Sequence, residues 1–141
     1  MTNDTNEINV FADGGARGNP GPSAIGVHIE DSEGNHVASL GKKIGHGTNN
    51  MAEYTAVVEA FDLILEMDIK PSKVNFYLDS NLVVSQLNGV FKIKNANLRE
   101  LLFKIKEKET LVGCPTTYSH IPREKNIKAD ELVNKALDNL L

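Results

Sequence analysis

Four carboxylates stand where the apolar pattern of this 141-residue chain changes. Asp13 closes an alternating run, Ile8, Val10 and Ala12, and is followed by two glycines. Glu53 opens a helical stripe of Tyr54, Val57, Phe61 and Ile64. Asp79 ends the apolar run Val74–Leu78, and Asp130 lies early in the final helical pattern. Each has an ordinary structural explanation taken singly. Asp13 suits a turn and Asp79 an N-cap. Glu53 and Asp130 suit helix N-termini, where an acid contributes a few tenths of a kcal/mol to about 1. Glu53 resists that account, because it precedes Val57 by one helical turn and so shares the buried side. An unpaired charge turned toward a core is costly. Adjoining strands would set Asp13 and Asp79 beside it, and mutual repulsion would raise all their pKa values unless cations neutralise them. No Lys or Arg adjoins these three in sequence. A divalent cation is the economical answer, and all-oxygen ligands suit Mg²⁺ or Mn²⁺ rather than zinc.

Other chemistries fare poorly. The stretch Gly14–Pro22 lacks the lysine of a phosphate-binding loop and precedes a strand rather than a helix. There is no Gly-x-Ser-x-Gly elbow, and Cys114, between Gly113 and Pro115, reads as an ordinary core or surface thiol.

The elements that must position the acids follow from periodicity. Strands are expected over Ile8–Asp13, Ser23–Glu30, His36–Ile44, Val74–Leu78 and Thr116–Ile121. The glycine-rich residues after Asp13 read as a dense turn, and Asp31–Asn35 as a hairpin turn. Helices are expected over Asn50–Met67, 81–88, Asn97–Glu109 and Lys125–Leu140, the last burying Leu132, Val133, Ala136, Leu137 and Leu140. The order is βββαβααβα, an α/β fold with an antiparallel opening and parallel strands where helices intervene.

Composition agrees with one domain spanning residues 1–141, at 40% hydrophobic and 24% charged. A lone cysteine excludes an internal disulfide and fits a reducing compartment. Charges interrupt every apolar run short of the roughly 20 residues that a membrane span needs, and the first residues lack the regions of a signal peptide. A cytoplasmic monomer without membrane contact is expected. The net charge of -4 is unevenly placed: residues 1–70 hold 4 Lys and Arg against 11 Asp and Glu, residues 71–141 hold 11 against 8.

Four blocks of this sequence resemble type 1 ribonuclease H. They are Asp13-Gly-Gly-Ala-Arg-Gly-Asn-Pro-Gly-Pro22, Thr48-Asn-Asn-Met-Ala-Glu-Tyr54, Asp79-Ser-Asn-Leu-Val-Val84 and His120-Ile-Pro-Arg-Glu-Lys-Asn-Ile-Lys-Ala-Asp130. They come in the family's order, within a resemblance covering about residues 6–138. The resemblance implies the ribonuclease H-like fold, a mixed five-stranded sheet of three antiparallel and then parallel strands flanked by helices. It implies endonucleolytic cleavage of the RNA strand of RNA–DNA hybrids, leaving 3′-hydroxyl and 5′-phosphate ends. Asp13, Glu53, Asp79 and Asp130 match the four metal-binding carboxylates, which in the family hold two Mg²⁺ about 4 Å apart, with Mn²⁺ as a substitute. His120 matches the catalytic histidine that assists proton transfer or product release; His28 and His36 read as ordinary strand or loop residues. Asn19, Asn49 and Asn50, with the backbone of Gly14 and Gly15, match positions that contact ribose 2′-hydroxyls, and Thr48 matches a residue on a DNA phosphate.

The sequence also departs from the family. His46 stands where an arginine is frequent, and Asn81, a further substrate-binding candidate, where a glutamine is frequent. The extra basic helix of many members is replaced by Phe91-Lys92-Ile93-Lys94-Asn95, as in a compact branch, and the chain has no Trp. Lys92 and Lys94 are the candidates to compensate, and hybrid binding is expected to be weak and to fall steeply with salt. The competing expectation is a non-catalytic nucleic-acid-binding module on the same fold, disfavoured by the presence of all four carboxylates.

Overall fold

The computed structural model describes residues 6–141. Strands β1 (Glu7–Ala16), β2 (Gly21–Asp31) and β3 (His36–Gly47) form an antiparallel meander. Helix α1 (Asn49–Glu66) then leads to β4 (Lys73–Leu78), which pairs parallel to β1. Helices α2 (Asn81–Leu87) and α3 (Ala96–Val112) precede β5 (Thr116–His120), parallel to β4, and α4 (Ile127–Leu137) follows. The sheet order is β3-β2-β1-β4-β5. This is the mixed five-stranded architecture that the resemblance implies, in the expected element order. Among the described residues no helix is long and apolar enough to cross a membrane.

Strand alternation divides the sheet into two unlike faces. On one, Val10, Ala12, Ile25, Val27, Val74 and Phe76 meet Tyr54, Val57, Phe61 and Ile64 of α1, all of them buried. Helix α3 backs α1, through Leu98 and Ile105. The opposite face carries Phe11, His28 and Tyr77 toward one end, and small residues where α4 seats. Ala24 meets Val133 and Ala136 of α4, and Gly26 and Gly41 lie directly beneath that helix.

Several boundaries differ from the sequence reading, β3 running on to Gly47 and α3 to Val112, and three differences bear on the site. β1 does not end at Asp13 but continues through Gly14 and Gly15 to Ala16, so these glycines are strand residues and the turn proper is only Arg17–Pro20. The final helix starts at Ile127, after a single 3-10 turn over Arg123–Lys125, and ends at Leu137. Leu140 therefore lies beyond it and is 68% exposed rather than buried, while Leu132 and Leu137 are half-buried. The N-cap of α2 is Ser80, whose hydroxyl accepts from the Val83 amide, so the Asp79 carboxylate is not used as a cap.

Candidate active site

Glycines decide how closely the acids approach. Asp13 of β1 pairs with Gly26 of β2, which pairs with Gly41 of β3, forming a row across the sheet under α4. A Cβ on Gly26 would lie 2.1 Å from the Ala129 carbonyl oxygen, so α4 rests on strand backbone at the residue before Asp130. On the other face a Cβ on Gly14 would lie 2.2 Å from the Ala52 carbonyl carbon and oxygen. The first turns of α1 thus press on β1, and the Gly14 N–H donates to Glu53 Oε1 at 2.8 Å. Asp79 follows the last residue of β4, on the strand beside β1.

The structure brings Asp13, Glu53 and Asp79 together. Each offers a carboxylate oxygen, and those three atoms lie within 4.8 Å of one another. Asp13 and Glu53 are buried and Asp79 half-buried. Asp130 approaches Asp13 from α4 closely enough to raise its pKa. Burial above all, with the charges of Asp79 and Asp130, pushes the Asp13 carboxyl from 3.8 up to about 7, although its contact with Glu53 pulls the other way. Glu53 is likewise raised well above the ordinary carboxylate value, first by burial and then by Asp13, with the Gly14 N–H opposing. Among the described residues no ion pair reaches Asp13, Glu53 or Asp79; Arg123 stands 3.7 Å from Asp130 only.

One atom gives the cluster a further meaning. Glu53 Oε2 is buried without a hydrogen-bond partner, facing a group of carboxylates. A buried acceptor without a donor is costly, and a cation among the three oxygens would relieve both that cost and the repulsion. The donor set is carboxylate oxygen throughout, which fits a hard divalent ion.

A cleft opens over the cluster, lined also by Gly15, Asn49, Asn50, Ser80 and Asn134. Its floor is braced where the predicted substrate residues lie. Asn49 Oδ1 accepts from the Ala16 amide at 2.9 Å, and Asn19 Oδ1 accepts from the Asn49 amide at 3.0 Å. Both oxygens are engaged within the protein, and the side-chain NH₂ groups of the exposed Asn19 and Asn49 remain as donors. Thr48 is the N-cap of α1, its hydroxyl accepting from Met51. The other predicted residues stand apart from the cluster. Asn81 is exposed at the start of α2, and Lys92 and Lys94 are exposed in the connection to α3. His120 ends β5 opposite Leu78, exposed, and is not among the residues lining the cleft.

Sequence reasoning missed Arg17 and Arg123, both lining the cleft, and Asn126, buried behind it. Arg17 reaches Asp138, just beyond α4, at 2.6 Å. The reading of His28 as an ordinary strand or loop residue agrees with its place in β2. His28 is buried, with its ring nitrogens 2.9 Å from Glu30 and 3.2 Å from Ser39, a satisfied structural histidine.

A family model described as reverse transcriptase-like matches residues 11–136. The chain is 35% identical to a ribonuclease HI of Halobacterium salinarum over 94% of its own length and 65% of that protein's. It is 33% identical to a bifunctional protein of Mycobacterium tuberculosis, over 94% of this chain and 36% of the relative. It therefore spans less than two thirds of these relatives. Among solved structures, LC11-RNase H1 in complex with an RNA/DNA hybrid superposes with a TM-score of 0.89 at 42% identity, covering 94% of this chain and 97% of that one.

Proposed function

The chain belongs to the type 1 ribonuclease H family, and on that premise we propose that it cuts the RNA strand of RNA–DNA hybrids, with residues 1–141 acting as one catalytic domain. The observation that carries this reading is the nest of Asp13, Glu53 and Asp79 beneath an open cleft, with a buried Glu53 oxygen that has no donor. Those three residues, completed by Asp130, would hold divalent cations, two Mg²⁺ with Mn²⁺ as a substitute. Bound there, such ions supply charge neutralisation at the scissile phosphate and a water of lowered pKa, giving 3′-hydroxyl and 5′-phosphate ends.

The chain's own residues do the rest. Gly14 fixes one oxygen of Glu53 and leaves the other for the ion. The NH₂ groups of Asn19 and Asn49, with Asn50 beside them, donate to ribose 2′-hydroxyls, which distinguish the RNA strand from DNA. Thr48 holds a DNA phosphate at the start of α1. Lys92 and Lys94 add attraction to the backbone, and contacts limited to sugars and phosphates leave the cutting independent of sequence. His120, exposed at the end of β5, would assist proton transfer to the departing 3′-oxygen or release of the cleaved product.

The test is cleavage of an end-labelled RNA–DNA hybrid beside duplex RNA and single-stranded RNA, in Mg²⁺, Mn²⁺ or EDTA. Cutting of the hybrid alone, lost in EDTA and reduced about 10³-fold or more by Asp13→Asn, is the expected result. Hybrid binding without cutting in either metal would replace this reading with the binding-module one.

A further inference from the structure

Asn126 is 1% exposed and lies where three acid-bearing segments meet. Its side-chain NH₂ donates to the Ala12 carbonyl at 3.0 Å, next to Asp13, and to Asp79 Oδ2 at 3.2 Å. Its backbone carbonyl accepts from the Asp130 amide at 3.1 Å, the first turn of α4. Both side-chain partners are pure acceptors, so the amide has one workable orientation; reversed, it would set three oxygens against one another.

The position makes this use unusual. Asn126 is the residue before α4, where asparagine is favoured because its oxygen can accept from a helix N–H. Thr48, Ser80 and Asn95 all cap their helices in that way. Asn126 makes no such cap, and its Oδ1 is buried without a partner. Its NH₂ group is instead directed away from the helix, to β1 and Asp79.

We propose that Asn126 is a positioning residue for the metal site: by holding Asp79 Oδ2 it fixes the carboxylate and leaves Oδ1 as the oxygen presented to the cation. This rests on the metal-dependent reading of the site above. A ligand held by a second residue is already oriented before the ion arrives, and removing such a partner commonly weakens metal affinity by about 10- to 100-fold.

The experiment is a calorimetric Mg²⁺ titration of the full chain without nucleic acid, wild type against Asn126→Ala, with thermal melts to confirm folding. Asn126→Ala should bind Mg²⁺ at least about 10-fold more weakly, with the KM for hybrid unchanged. Its kcat should fall at low Mg²⁺ and return to within about threefold of wild type when Mg²⁺ is raised to saturation. A residue that merely fastens α4 would lower the melting temperature and leave the Mg²⁺ affinity untouched, and that result overturns the proposal. So does a kcat that added Mg²⁺ does not restore. If Asn126→Ala does not fold, the wild-type protein decides by NMR. The Asn126 side-chain amide resonances should move on Mg²⁺ addition while those of Asn75, on β4 beside Asn9, stay in place; unmoved Asn126 resonances overturn it. Wild type that binds no Mg²⁺ would sink the nuclease reading and this proposal together, whereas unchanged affinity in the variant sinks the proposal alone.

Discussion

The two faces of the sheet are built on opposite packing principles. Toward α1 the strands present Val10, Ile25, Val27 and Phe76, and contact is made through large side chains. Toward α4 they present Ala24, Gly26 and Gly41, and the closest contacts, at the two glycines, are made by backbone. Large side chains bury area and tolerate small shifts by changing rotamer. A helix seated on glycines has little slack, since any added atom meets a carbonyl. The first face supplies most of the buried apolar contact and the second sets how closely the helix bearing Asp130 approaches the sheet. Glu53 and Asp130 reach the site from opposite faces, so the carboxylate cluster straddles both regimes.

Phe61→Ala is the strongest test of the first half of that comparison. Truncating this fully buried ring should cost about 3–5 kcal/mol in a urea melt. The turnover of the folded fraction should stay near wild type; a large loss of kcat at full folding would mean that α1 positions the site through its core contacts. Gly26→Ala tests the second half with a single methyl. Stability should fall by about 1–3 kcal/mol as α4 is displaced, but kcat should fall by about 10²-fold, because Asp130 moves with the helix. Full activity in this variant would show that close seating of α4 does not matter.

The smallest expected effect is a slope with pH, and it belongs to the seam between the faces. In the metal-free protein the Asp13 carboxyl lies at about 7 against an ordinary 3.8. A carboxyl raised by folding carries no penalty below about pH 4, where folded and unfolded chains are both protonated. Between about 4 and 7 the folded state retains a proton that the unfolded state loses, so stability declines as pH rises and the penalty is complete above about 7. Melts in EDTA should therefore fall by several degrees from pH 5 to pH 8 in wild type and less in Asp13→Asn, while Mg²⁺ affinity rises over the same range. Parallel melting profiles for the two proteins would remove Asp13 as the source of the slope.

The α1 side was legible in the sequence because a 3.6-residue period reports directly which face is buried. Glu53 fell in that stripe, which marked it as chemically odd before any fold was known. The α4 side was not legible in the same way. A glycine after an acid looks like a turn whether it bends the chain or lets a helix approach, and only tertiary packing separates the two. That is why β1 was read as ending at Asp13 rather than at Ala16. Asn126 was hidden for a related reason: its partners lie 114 and 47 residues away in the chain. Leu140 was misplaced because apolar spacing continues past the point where α4 stops at Leu137.

The order of the chain gives the docking of α4 a consequence for biosynthesis. Strands β1 to β4 and helix α1, which carry or directly precede Asp13, Glu53 and Asp79, come well before that helix in the chain, so three of the four acids belong to the part of the polypeptide that leaves a ribosome first. The nascent domain has three acids and an empty row at Asp13, Gly26 and Gly41. It acquires Asn126 and Asp130 in one event, when the final helix seats, so the fourth carboxylate is the last part of the proposed site to be put in place.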